Sequence, residues 1–97
     1  MNEYAHHNKL YEAIAALRTP EECRALFEDL CTSKEVQALS QRLEVAKMLS
    51  KNAIYSQIIR ETGASSATVS RVARCLNYGA GGYKMILERL NTDGEEG

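Results

Sequence analysis

The chain has 97 residues, 44% of them apolar and 26% charged, and its 12 Lys and Arg against 13 Asp and Glu leave a formal charge of −1. That length allows one core, burying roughly 60–70% of the unfolded surface, and the charge lacks the cationic excess common in nucleic-acid and membrane-surface binders. No apolar run nears the ~20 residues that cross a bilayer. Residues 1–7 lack the features of a secretory signal, and Cys23, Cys31 and Cys75 have no paired spacing, so a cytoplasmic location without disulfides is expected.

In chain order, Leu10, Tyr11, Ile14 and Leu17 share one face of a first helix, which ends before Pro20 because a residue preceding proline is driven out of the α region. Thr19-Pro20-Glu21-Glu22 signals the next start, with Thr19 as cap, Pro20 where a missing N–H is harmless, and Glu22 closing a capping box. Leu26, Phe27, Leu30 and Cys31 form the stripe of that second helix, and Cys23 and Cys31 read as small core residues. Thr32-Ser33-Lys34-Glu35 repeats the box and opens a third helix. Its stripe is Val36, Leu39, Leu43, Ala46 and Leu49, and it breaks at Lys51-Asn52-Ala53.

The glycines of 78–82 predict a flexible connector. Tyr83, Ile86, Leu87 and Leu90 then predict a short last helix. The expected fold is all-α, about six helices in a single domain over 1–90, followed by a disordered polar tail at 91–97.

The overall charge conceals a layout. Residues 34–74 hold seven basic side chains (Lys34, Arg42, Lys47, Lys51, Arg60, Arg71, Arg74) and three acidic ones (Glu35, Glu44, Glu61). The flanking segments are both net acidic.

Residues 55–76, within that basic stretch, read as two short helices joined by a glycine turn. Ile58 and Ile59 give the first its buried face, and Gly63 supplies the positive φ of a sharp turn. Ser65 caps the second helix, and Val69, Val72 and Leu76 point inward. Ser66, Ala67, Ser70, Arg71 and Arg74 remain outside. Small and hydroxylated side chains permit close approach to a duplex, a helix N-terminus attracts phosphate, and arginine forks onto guanine. This is a helix-turn-helix, with 55–61 positioning and 66–76 reading. The expected DNA-contacting residues are Tyr55, Ser65, Ser66, Ala67, Thr68, Ser70, Arg71 and Arg74. Two features depart from the usual pattern: Ile59 stands where alanine or glycine is common, and Glu61 lies near the phosphate path.

Thr32, Ala38-Leu39 and Arg42, with Gly63-Ala64 and the run Ala67-Thr68-Val69-Ser70-Arg71, resemble the tryptophan repressor pattern. The chain as a whole, including the glycine connector, looks more like the small YerC/YecD-type branch of that superfamily. The resemblance implies an intertwined helical homodimer that reads a palindromic operator on double-stranded DNA, with half-sites ~34 Å apart. It also implies an effector pocket at Thr32, Arg42 and Arg71. The family's glycine after the second pocket arginine is here Val72, and a pocket serine is here Cys75. Because Val72 adds three carbons where an indole would lie, tryptophan is not expected as corepressor. Either another small-molecule effector binds or none does, and Arg71 is open to a pocket role or a DNA role.

The expected function is therefore a sequence-specific transcriptional regulator, a repressor, with no cofactor, no metal and no catalytic residue. Neighbouring His6 and His7 point to different sides of a helix and have no companion ligands. No nucleophile–base pair or phosphate loop marks an enzyme. The alternative is a dimeric helical interaction module without specific DNA binding.

Overall fold

The computed structural model describes residues 3–94 as six helices, with no strand among them. They are α1 (Glu3–Ala15), α2 (Pro20–Leu30), α3 (Ser33–Ser50), α4 (Tyr55–Thr62), α5 (Ser66–Tyr78) and α6 (Gly82–Gly94). The chain divides into two compact units, Met1–Val36 and Gln37–Gly97, with the boundary inside α3.

In the first unit, helix ends follow local chemistry. α1 closes with a tightened turn in which the Ala16 N–H is shared between the carbonyls of Glu12 (3.1 Å) and Ala13 (3.2 Å). Leu17 therefore lies beyond the helix, rather than on its face as its spacing suggested. At the start of α2 the Glu22 N–H donates to Thr19 Oγ1 (3.1 Å). The Glu22 carboxylate reaches one residue further back than a standard box, accepting from the Arg18 N–H at 2.8 Å. The box opening α3 is complete: the Glu35 N–H donates to Thr32 Oγ1 (3.1 Å) and the Thr32 N–H to Glu35 Oε1 (2.8 Å).

α2 buries no side chain. Leu26, Phe27 and Cys31 are half-buried, while Leu30 is 53% exposed. Cys23 is exposed, which corrects the expectation of a small core residue. It shares the α2 face of Leu26, Phe27 and Leu30, three residues before Leu26, but it lies in the first turn of the helix, where nothing in this unit covers it. A cavity of about 340 Å³ opens among Arg24, Phe27, Cys31 and Val36.

The second unit contains the core. Val45, Ala46, Ile58, Ala64, Val69, Val72 and Leu87 are buried, and Met48, Leu49, Ala53, Ile59 and Tyr83 pack against them. α3 thus turns Val45 and Ala46 inward, while Leu39 and Leu43 of its anticipated stripe are 44% and 39% exposed. The break after α3 is a Schellman turn built on Asn52 at φ +65°. The Ala53 N–H donates to the Met48 carbonyl and the Asn52 N–H to the Leu49 carbonyl, at 3.1 and 3.0 Å.

α5 ends at Gly79, whose N–H donates to the Cys75 carbonyl at 2.8 Å. A Cβ at Gly79 would stand 2.4 Å from that oxygen, so only glycine fits without a backbone shift. The connector is shorter than anticipated, because α5 includes Tyr78 and α6 begins at Gly82. α6 also continues through Asn91 to Gly94, so residues 91–94 are helical where a disordered tail was expected; once a helix is nucleated, each further residue adds a backbone hydrogen bond. Residues 95–97 lie outside the described part.

Candidate nucleic-acid interface

α4 and α5 are joined by the three-residue turn 63–65. Gly63 has φ +75°, and its N–H donates to the Ile59 carbonyl at 2.9 Å, a left-handed helix stop. The chain then reverses into α5, where Ser65 caps by accepting the Thr68 N–H at 3.1 Å. Ile58 from α4 and Val69 and Val72 from α5 are buried together, and Ala64 of the turn itself is buried with them. Leu76 is half-buried at the next inward position.

Burying that side of α5 leaves a defined outer side. Ser66, Ala67, Ser70, Arg71 and Arg74 are all exposed, and Tyr55 is exposed at the start of α4. Among the described residues neither the Arg71 nor the Arg74 guanidinium has a hydrogen-bond or ion-pair partner. Both are therefore available to an external anion or base edge without breaking an internal contact.

Ser65 and Thr68 are placed differently. The Ser65 hydroxyl accepts the capping N–H and donates to Thr68 Oγ1 at 3.1 Å, so its own proton is engaged. Thr68 is half-buried and keeps a hydroxyl proton to offer outward. Ser65 is thus bonded at the helix start. Glu61 accepts from the Gln57 amide at 3.1 Å, which occupies one of its carboxylate oxygens.

A contact that sequence spacing did not suggest ties this turn to α3. Gln41 Nε2 donates to the Thr62 carbonyl at 3.2 Å, and Thr62 Oγ1 donates to the Ile58 carbonyl (2.7 Å) while accepting the Ala64 N–H (3.1 Å). The partners Gln41 and Thr62 are 21 residues apart, which local pattern cannot connect.

The anticipated effector residues are divided between the two units. Thr32 belongs to the first unit, where its hydroxyl is engaged in the α3 cap. Arg42 and Arg71 are exposed in the second. Val72 is 1% exposed and belongs to the core. Cys75 lines an apolar cavity of about 450 Å³ with Leu43, Tyr83, Ile86 and the Gly79–Gly82 backbone. Of the two histidines, His6 lies outside the described side chains, and the His7 ring stands 6.5 Å from that of Tyr11. Among the described residues no group of His, Cys, Asp or Glu could hold a metal ion, and no helix is long and apolar enough to cross a membrane.

Residues 5–91 match the Trp repressor protein family. An uncharacterised Bacillus subtilis (strain 168) protein, YerC, is 53% identical over 83 residues, which are 86% of this chain and 80% of that protein. A crystal structure of a candidate Trp repressor from Staphylococcus aureus superposes with a TM-score of 0.86 at 50% identity, covering 90% of this chain and 87% of the other. A TrpR-like protein from Eubacterium eligens ATCC 27750 gives 0.83 at 51% identity, covering 86% of each chain. With the six helices of its described residues, its glycine turn and the exposed outer side of α5, this chain belongs to the Trp repressor family.

Proposed function

We propose that the protein is a sequence-specific DNA-binding transcriptional regulator, a repressor, that acts as a homodimer on a palindromic operator and does not respond to tryptophan. The observation that carries this reading is the outer side of α5. Ser66, Ala67 and Ser70 provide small and hydroxyl-bearing surface near a helix N-terminus, and two unpaired arginines, Arg71 and Arg74, follow. Such a helix enters a major groove with its N-terminal residues at base edges and its backbone N–H groups near phosphate. Tyr55, exposed at the start of α4, and Thr68 in the first turn of α5 offer further hydroxyls, while Ser65 contributes by holding the helix start.

Dimerisation is supported by what each unit leaves uncovered. The helix α2 in the first unit buries no side chain, and α3 leaves Leu39 and Leu43 partly exposed. Thirty-odd residues of helix without a core are not stable alone in water, and a second copy would supply the missing apolar cover. The two basic stretches of a dimer would then face one duplex.

Absence of a tryptophan response follows from Val72. The resemblance places a glycine at this position beside the indole, and the valine side chain fills the space that glycine would leave. Arg71, exposed on the same helix, is then assigned to DNA rather than to a corepressor.

Selecting genomic fragments on the purified protein and footprinting the bound sequence tests this function. Twofold-symmetric protection with centres about one helical turn apart is expected. Recovery of no common sequence would favour a helical interaction module instead.

A further inference from the structure

The core between α3, α4 and α5 is made of apolar contacts, which are non-directional and hold surfaces together without fixing their rotation. A hydrogen bond is different, because it weakens steeply once distance or angle departs from its optimum. Gln41 places one such bond where it can set the attitude of the reading helix. Its amide nitrogen, rather than its oxygen, must face Thr62, because a backbone carbonyl only accepts. The Thr62 carbonyl is one of the four left unpaired at the end of α4. The Thr62 hydroxyl simultaneously clamps the Ile58 carbonyl and the Ala64 N–H. One residue of α3 is thus bonded to the residue from which the turn departs, and α5 starts four residues later. Gly63 adds nothing to hinder rotation there, since a Cβ at that position would find only Gln41 Nε2, 4.0 Å away.

The lever is long enough to matter. With 13 residues α5 extends ~20 Å. A change of about 5° in the turn moves Arg74, ~12 Å along α5, by ~1 Å, enough to take a hydrogen bond to a base edge out of its optimal range.

From this geometry we infer that Gln41, acting through Thr62, is a positioning residue that sets operator specificity without itself reaching the duplex. The inference rests on the DNA-binding reading above. It separates two quantities that a purely structural role would change together. Phosphate contacts tolerate small reorientation, whereas base contacts do not.

The test uses the full-length protein and two duplexes of equal length, one carrying the footprinted sequence and one scrambled. Gln41→Met removes the donor at nearly unchanged length and helix propensity. It is expected to weaken binding to the footprinted duplex by about 10-fold, with scrambled-duplex binding and its salt slope unchanged. Thr62→Val leaves the carbonyl that Gln41 reaches but removes the hydroxyl clamp on the Ile58 carbonyl and the Ala64 N–H, the second half of the same device, and should do likewise, while Thr62→Ser keeps the hydroxyl and should restore discrimination. Equal loss on both duplexes, or unchanged discrimination in both Gln41→Met and Thr62→Val, would overturn the inference while leaving DNA binding intact. A wild-type protein that fails to distinguish the duplexes would overturn the DNA-binding reading, and the inference with it.

Discussion

Replacing Gly63 by alanine isolates the conformational requirement of the turn. At φ +75° an L-residue with a Cβ is strained by roughly 1–2 kcal/mol. No steric clash adds to this, because the nearest atom to the new Cβ is Gln41 Nε2 at 4.0 Å, ordinary contact distance. Alanine also narrows the unfolded ensemble, which favours folding by about 0.4–1 kcal/mol. The difference leaves Gly63→Ala less stable by about 1 kcal/mol, equivalent to roughly 4–8 °C in Tm for a domain of this size. Asparagine tolerates the left-handed region better than alanine, so Gly63→Asn should recover part of the loss. Gly82→Ala provides the control, since Gly82 begins α6 with open space around its would-be Cβ and no positive φ. That change should be neutral or stabilising. The assay is thermal unfolding followed by circular dichroism at one fixed protein concentration, because any dimer makes Tm concentration-dependent. A Gly63→Ala protein as stable as wild type would refute the reasoning and mean that the turn relaxes to a negative φ.

Arg74→Ala should leave Tm unchanged, because its exposed guanidinium has no described partner. It should weaken operator binding by about 1–3 kcal/mol, and fluorescence anisotropy that shows unaltered affinity would remove Arg74 from the interface. Calorimetric titration with L-tryptophan should give no binding heat, since Val72 fills the space that the family's glycine would leave; tight binding would overturn the proposal that the protein does not respond to tryptophan. Asn52→Gly should be at least as stable as wild type, and Asn52→Ala less stable by about 1 kcal/mol, because the Schellman turn needs φ +65°. Urea titration of the two variants decides this, and indistinguishable midpoints would refute it.

Elements determined by chemistry within four residues were legible in the sequence. The Thr32–Glu35 box, the Ser65 cap and the left-handed Gly63 each depend on a side chain or a missing Cβ next to the backbone it serves. The outer side of α5 followed from the 3–4 spacing of Val69 and Val72. Other features require knowing what packs against what. Spacing shows that Leu39, Leu43 and Ala46 share a stripe, yet the core takes Ala46 with Val45 and leaves the two leucines partly open. The Gln41–Thr62 bond joins distant residues whose types are common in any helix, so no local signal marks it. The same holds for Cys75, whose place beside Leu43 and Tyr83 depends on the turn at Gly79 rather than on its own neighbours in sequence. Residues 91–94 read as tail because they are polar, although helix continuation depends on backbone hydrogen bonds more than on side-chain polarity.

The central claim, that α5 reads DNA sequence, is tested most directly by comparing affinity for the footprinted duplex with that for a scrambled one across a salt series. If each protomer of a dimer neutralises about three phosphates, log K should fall with log salt at a slope of roughly −5. The footprinted duplex should bind at least ~10³-fold more tightly than the scrambled one. Equal affinities for the two duplexes at every salt concentration would contradict the claim.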